Sequence, residues 1–190
     1  MILYLHGFNS APSSHKARTL AGYMKERGLG AKFFCPTLPH RPSDAIALIE
    51  DELQKHAVRE VTLIGSSLGG FYATWFAQKH ACRAVLIQPA VCPHAGLESY
   101  LGTQKNPYTG EEYELTRAHL DGWRELFLDK VDPERYLLLL ETGDEVLDYR
   151  DAVRKYEGAR MVIRQGGDHM LQSFPQHIPR VLAFAGLAIS

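Results

Sequence analysis

Residues 61–75 read Val-Thr-Leu-Ile-Gly-Ser-Ser-Leu-Gly-Gly-Phe-Tyr-Ala-Thr-Trp, and this stretch decides the fold. A short apolar, β-branched run enters a cluster of three glycines and two serines, and an apolar, aromatic run leaves it. The first part has the pattern of a buried strand. The last has that of a well-buried helix, because Leu68, Phe71, Tyr72, Trp75 and Phe76 cover a wide arc at helical spacing. The junction Gly65-Ser66-Ser67-Leu68-Gly69 matches G-x-S-x-G with Ser67 at its centre. Such a turn lifts a serine to the tip of a sharp strand-to-helix reversal, where small neighbours relieve crowding. Composition gives about 0.06 such matches by chance in a chain of 190 residues with 16 Gly. The competing reading is a glycine-rich turn with no chemistry.

Outward from this turn, short β-rich runs alternate with helical patterns. Strands are expected at 2–5, 32–35, 61–64, 84–87, 136–140 and 160–163, mostly as continuous apolar runs that suit a sheet covered on both faces. Helical stripes fall between them: Ala17, Leu20, Ala21 and Met24 after a Ser14 cap; Ile46, Ile49 and Leu53 after a Ser43 cap; Tyr149, Ala152, Val153 and Tyr156; and Ile178, Val181 and Leu182 after Ser173. The order predicts one α/β domain over residues 1–190, with about six mostly parallel strands and helices on both faces. Residues 89–135 are far longer than the roughly dozen residues a crossover needs. They hold Tyr100, Tyr108, Tyr113 and Trp123, and a stripe at Leu120, Trp123, Leu126 and Phe127. This insertion reads either as a decorated crossover with one or two extra helices or as a helical lid over the site.

A serine hydroxyl is a poor nucleophile until a base takes its proton. Of nine histidines, His169 lies in Gly166-Gly167-Asp168-His169-Met170, directly after the last strand and at the carboxyl edge of the sheet, where such folds place ligands. His6 also ends a strand, but its place before Gly7 assigns it to shaping the first loop. His94 lies in the insertion, and the others fall on helical or loop patterns facing solvent. The base needs an acid to fix its tautomer. Asp144, past the glycine after strand 136–140, is the choice over Asp148, which reads as a helix cap, and over Glu145. Asp168 neighbours His169 in sequence, and adjacent side chains rarely meet in the required geometry. The order is Ser67, Asp144, His169, the nucleophile-acid-base order of the α/β-hydrolases. Oxyanion donors are expected at the backbone N–H of Leu68 and, from the first loop, of Phe8 rather than Asn9.

These stretches together resemble the YqiA-like bacterial esterases, a small branch of the α/β-hydrolases. The resemblance rests on YLHGFNS from Tyr4, GSSLGGFYATW from Gly65, NPYTGEEYEL from Asn106 and TGDEVLDYR from Thr142, with PSDA from Pro42 and PAV from Pro89. It implies a compact α/β-hydrolase fold of six strands and esterase activity on acyl esters or thioesters, with Ser67, Asp144 and His169 as functional residues. Two departures stand near the catalytic loops: Gln88 where the group has Asn, and GGDHMLQSF around the base.

The remaining features narrow the function classes. Formal net charge is −1, from 21 basic and 22 acidic residues, with no basic stripe for nucleic acid. No run approaches membrane-spanning length. Cys35, Cys82 and Cys92 are an odd count without metal-ligand spacing, which points to a reducing cytoplasm and to no metal or cofactor. The expected partner is a small acyl ester or thioester. Two alternatives keep the scaffold: an acyl-CoA thioesterase or acyltransferase with the same three residues, and a non-catalytic binding module.

Overall fold

The computed structural model describes residues 1–187, so positions 188–190 of the expected domain lie outside the described residues. The strands are β1 (Ile2–Leu5), β2 (Phe33–Phe34), β3 (Thr62–Ser66), β4 (Arg83–Ile87), β5 (Gly102–Lys105), β6 (Glu112–Leu115), β7 (Tyr136–Glu141) and β8 (Arg160–Arg164). The helices are α1 (His15–Glu26), α2 (Pro42–Gln54), α3 (Leu68–His80), α4 (Pro93–Gly96), α5 (Arg117–Glu125), α6 (Tyr149–Lys155) and α7 (Phe174–Phe184). Six strands form one sheet in the order β2-β1-β3-β4-β7-β8, and every pairing in it is parallel. The chain leaves β1 for β2 on one side and returns to β3 on the other. Strand order therefore reverses at β1 and β3, and the loops after these two strands meet at the switch point where such sheets bind ligands.

The period-2 alternation of strand side chains sorts the core into two layers. Leu3, Leu5, Leu63, Leu86, Leu138 and Leu140 pack with α2, α3, α5 and α6. Ile2, Tyr4, Ile64, Val85, Ile87, Leu137 and Leu139 pack with α1 and α7. A sheet buried on both faces explains why its strands read as unbroken apolar runs. All six expected strands are present within one or two residues of their expected ends.

Local capping followed the sequence less closely. Asp148 does cap α6, its carboxylate accepting from the Arg150 N–H at 3.0 Å. Ser14 stands at the N-cap of α1 but makes no side-chain cap bond. The helix expected to start after Ser43 begins earlier, with Pro42 in its first turn and Arg41 at the cap. Proline's missing N–H and fixed φ suit that position. The Ser173 hydroxyl is drawn away from its helix to the buried Glu141 carboxylate.

The insertion carries α4 and α5, as its helical stripe required, with Leu120 and Trp123 buried. It also carries an antiparallel hairpin, β5–β6, absent from the sequence-based expectation. The hairpin's side chains alternate between exposed and half-buried up to the buried Leu115, and four-residue, mostly polar strands give little periodic signal. Its turn is the Asn-Pro-Tyr-Thr-Gly stretch. The Asn106 side-chain oxygen accepts from the N–H groups of Tyr108 and Thr109, and Gly110 takes a φ of 77°.

Two glycines should respond oppositely to alanine. A Cβ on Gly69 would sit 2.0 Å from the Leu5 carbonyl oxygen, so Gly69→Ala should cost about 3 kcal/mol or more, or prevent folding. Gly22 lies exposed within α1 with nothing in reach of a Cβ, so Gly22→Ala should gain up to about 1 kcal/mol. Urea midpoints read both. A wild-type midpoint for Gly69→Ala would refute the close approach of α3 to β1.

Candidate active site

Ser67 joins β3 to α3 with φ 53° and ψ −120°, a conformation that L-residues rarely adopt and that costs on the order of 1–3 kcal/mol. Three backbone bonds hold it there. The Ser67 N–H donates to the Ile87 carbonyl at 3.0 Å, and the Ser67 carbonyl accepts from Gly70 at 2.8 Å and Ala90 at 3.1 Å. The glycines make room. A Cβ on Gly65 would lie 2.3 Å from the Gly69 carbonyl oxygen, and one on Gly70 would lie 2.7 Å from the Pro89 side chain. Ser66 completes β3 and is buried, whereas Ser67 stands half-exposed between two cavities.

His169 and Asp144 are brought together. The His169 Nδ1 lies 2.9 and 3.0 Å from the two Asp144 carboxylate oxygens. An ionised carboxylate only accepts, so Nδ1 carries the proton and Nε2 keeps a free lone pair. Asp144 is fixed in turn: its Oδ1 accepts from the N–H groups of Val146 at 2.9 Å and Leu147 at 2.8 Å, and its side chain is 1% exposed. His169 lines both cavities that Ser67 lines. The other acids considered from sequence are committed elsewhere. Glu145 accepts from the His169 backbone N–H, Asp148 pairs with Arg150, and Asp168 accepts from the Gln172 amide.

The loops bearing Asp144 and His169 are laced to each other. Gly143 N–H donates to the Gly166 carbonyl at 2.8 Å, and Gly166 N–H to the Thr142 hydroxyl at 2.9 Å. The buried Glu141 carboxylate accepts from the Asp168 N–H and the Ser173 hydroxyl. A Cβ on Gly167, at φ 76°, would collide with Glu141. Gln88 is the central tie. At φ 43° and 2% exposed, its amide donates to the Asp168 and Glu141 carbonyls and accepts from the Glu141 N–H. From the sequence alone, Gln88 is visible only as a departure and Glu141 carries no assigned role. The one available signal was an acid closing the otherwise apolar strand Tyr-Leu-Leu-Leu-Leu-Glu.

The first loop packs directly on the serine. A Cβ on Gly7 would lie 3.2 Å from the Ser67 Cβ, which places Phe8 and Leu68 on adjoining turns. His6 shapes this loop. Its Nδ1–H donates to the Gly7 carbonyl and its Nε2 accepts from the Leu38 N–H at 3.0 Å, so the neutral ring satisfies both partners. Asn9, at φ 48°, links the loop to the hairpin, donating to Gln104 and accepting from the Tyr113 hydroxyl at 2.8 Å. Asn106 adds a bond to the Ser10 carbonyl at 2.9 Å. The hairpin thus clamps the loop after β1. Among the described residues, no cluster of three or more His, Cys, Asp or Glu is placed to hold a metal ion.

Two predictions follow from these ties. Gln88→Ala removes an amide that serves three buried backbone groups, so it should destabilise the fold by about 1–3 kcal/mol in chemical denaturation. An unchanged midpoint would count against the tie. Burial also holds the His6 imidazole below its ordinary pKa. The unfolded chain then binds that proton more readily than the folded one. Stability from His6 is complete above the unfolded value of about 6.5 and is lost as pH falls below it. His94, His119 and His177 are shifted the same way, so melting temperature should fall between pH 7.5 and 5.5. The fall should be shallower in His6→Asn, and equal slopes would refute the assignment.

Comparison with known proteins places this geometry in a wider setting. The chain aligns over 98% of its length, at 27% identity, with a UPF0227 protein of Yersinia pseudotuberculosis serotype O:1b, covering 99% of that protein. A UPF0227 protein of Yersinia pestis bv. Antiqua aligns equally well. Among solved structures, mouse alpha/beta hydrolase domain-containing protein 10 superposes with a TM-score of 0.77 at 15% identity, over 97% of this chain and 89% of that one. A monoacylglycerol lipase from Paleococcus ferrophilus gives 0.69 at 14% identity, over 98% and 94%. At such identities the likeness establishes the fold alone, a compact α/β arrangement of a parallel six-stranded sheet flanked by helices. The family model described as the uncharacterised protein family UPF0227 matches residues 1–186, and the chain belongs to that family.

Proposed function

We propose that this protein is a serine carboxylic-ester hydrolase working through an acyl-enzyme. The observation that carries the reading is the strained Ser67 turn, facing cavities also lined by a His169 whose Nδ1 is held by buried Asp144. In this reading His169 Nε2 takes the Ser67 proton as Oγ attacks the ester carbonyl carbon. The tetrahedral oxyanion is met by the N–H groups of Phe8 and Leu68. Collapse breaks the bond to the leaving group, and His169 returns the proton to the departing alcohol or thiol. Water, deprotonated by the same nitrogen, then releases the acid and regenerates Ser67.

The acyl group has an apolar place to lie. A cavity of about 290 Å³ adjoins Ser67 and His169 and is lined by Leu68, Ala90, Leu97, Tyr100 and Leu147. Several of these come from residues 89–135, which we read as a cover over the site within a single hydrolase domain. The resemblance to the YqiA-like esterases supports the same reading. So do solved structures of similar fold, a monoacylglycerol lipase and lipolytic enzymes among them. Free thiols at Cys35, Cys82 and Cys92 fit a cytoplasmic setting.

Ser67→Ala should lower kcat/KM for nitrophenyl butyrate by about 10⁴-fold or more, and Asp144→Asn by about 10³- to 10⁴-fold through the wrong tautomer. A fluorophosphonate probe should label wild type and spare Ser67→Ala. Undiminished turnover in Ser67→Ala would overturn the assignment. A folded wild type that neither turns over nor labels would instead be the non-catalytic scaffold.

A further inference from the structure

The cavity on the other side of Ser67 is chemically unlike the apolar one. It holds about 220 Å³ and is lined by Ser10, Ser14, His15, Lys16 and Tyr108 together with Ser67, His169 and parts of the first loop. Among the described residues, Lys16 is the one lysine or arginine on its wall, and no Asp or Glu lines it.

Lys16 is an unusual lining residue. It is 7% exposed, on the first turn of α1, and its Nζ donates to the Met170 carbonyl at 2.8 Å. An ammonium has three N–H donors, and this bond uses one. Burial lowers its pKa to about 8, with Asp168, Asp144 and Glu141 opposing that fall, so it stays a cation at neutral pH. Of those carboxylates, none of which lines the cavity, Asp168 accepts from Gln172 through Oδ2 while its buried Oδ1 has no hydrogen-bond partner, Asp144 is held by His169, and Glu141 accepts from Ser173 and the Asp168 N–H. Those carboxylates offset part of the cost of burying the ammonium, and holding one carbonyl does not require a full charge. The N-terminus of the twelve-residue α1 opens on the same cavity. Its cap residue, Ser14, makes no side-chain cap bond, so first-turn N–H groups and the positive end of the helix dipole add to the lysine.

We propose that this cavity binds an anionic group of the substrate, a carboxylate or a phosphate. The ester cleaved would then be amphiphilic, with an apolar group on one side of the scissile bond and a negative charge on the other. This rests on the serine-hydrolase reading, and the test separates the two.

The experiment measures kcat/KM for two ester pairs. One pair is mono-4-nitrophenyl glutarate against 4-nitrophenyl butyrate, with the anion on the acyl half. The other is 4-(butyryloxy)phenylacetate against its methyl ester, with the anion on the leaving half. Wild type should prefer the anionic member of at least one pair by about tenfold or more, the scale of one charged hydrogen bond. Lys16→Gln should erase that preference mainly through KM, and Lys16→Arg should retain part of it. A preference for the neutral member in both pairs, or an equal loss on both members in Lys16→Gln, would overturn the proposal while leaving the esterase intact. Binding is read independently of turnover. Glutarate or inorganic phosphate should raise the melting temperature of Ser67→Ala, and should not do so once Lys16→Gln is added; which anion acts distinguishes the source. Absence of any anion effect in both assays would overturn the proposal, even if wild type proved unable to hydrolyse esters at all.

Discussion

The start of α3 lies almost in contact with the end of β1, and the rest of the site depends on that approach. Gly69 faces the Leu5 carbonyl with no room for one more carbon, and Gly65 faces the backbone of Gly69 and Gly70. With side chains there, α3 could not begin beneath the sheet edge. Because it does begin there, the connecting residue must reverse the chain within a single step, which puts Ser67 at positive φ. The strain is supported by bonds to Ile87, Gly70 and Ala90 and by an α3 that is buried around most of its circumference. Polar tips in that helix are satisfied: Thr74 bonds Gly70 and Tyr156, and Tyr72 accepts from Trp123. A rigid, fully packed helix is what allows an unfavourable turn to persist.

The loops bearing Asp144 and His169 solve a different problem. Each follows a separate strand, and each alone would be an ordinary mobile connection. Gln88 and Glu141 bind them to each other from below, with side-chain bonds that reach across β4, β7 and the loop after β8. The imidazole is thereby positioned by backbone anchored to the sheet rather than by its own loop. The hairpin plays the matching part for the first loop through Asn9 and Asn106. Two sets of polar side chains, one beneath the site and one beside it, thus hold three loops in place.

That surface is asymmetric in charge. The apolar cavity and the Lys16 cavity share Ser67, Phe8 and His169 and little else. Leu68, Ala90 and Leu97 wall one side of Ser67, and Lys16 with the start of α1 walls the other.

The sequence by itself determined the order of the six strands of the main sheet and of the helices that cover it, the serine turn and the histidine-acid pair. Those are carried by local signals: apolar runs, glycine spacing, and residues just past strand ends. It left several things undecided. Ser43 and Ser173 looked like caps, yet Pro42 set the start of one helix and Glu141 claimed the hydroxyl of the other. The β5–β6 hairpin was invisible because short polar strands have almost no periodicity. Gln88, Glu141 and Lys16 gained meaning only from partners 53, 32 and 154 positions away in the chain. Propensity and periodicity act over a few residues, whereas burial of a polar group is decided by whichever distant segment the fold brings against it, and only the tertiary structure contains that information.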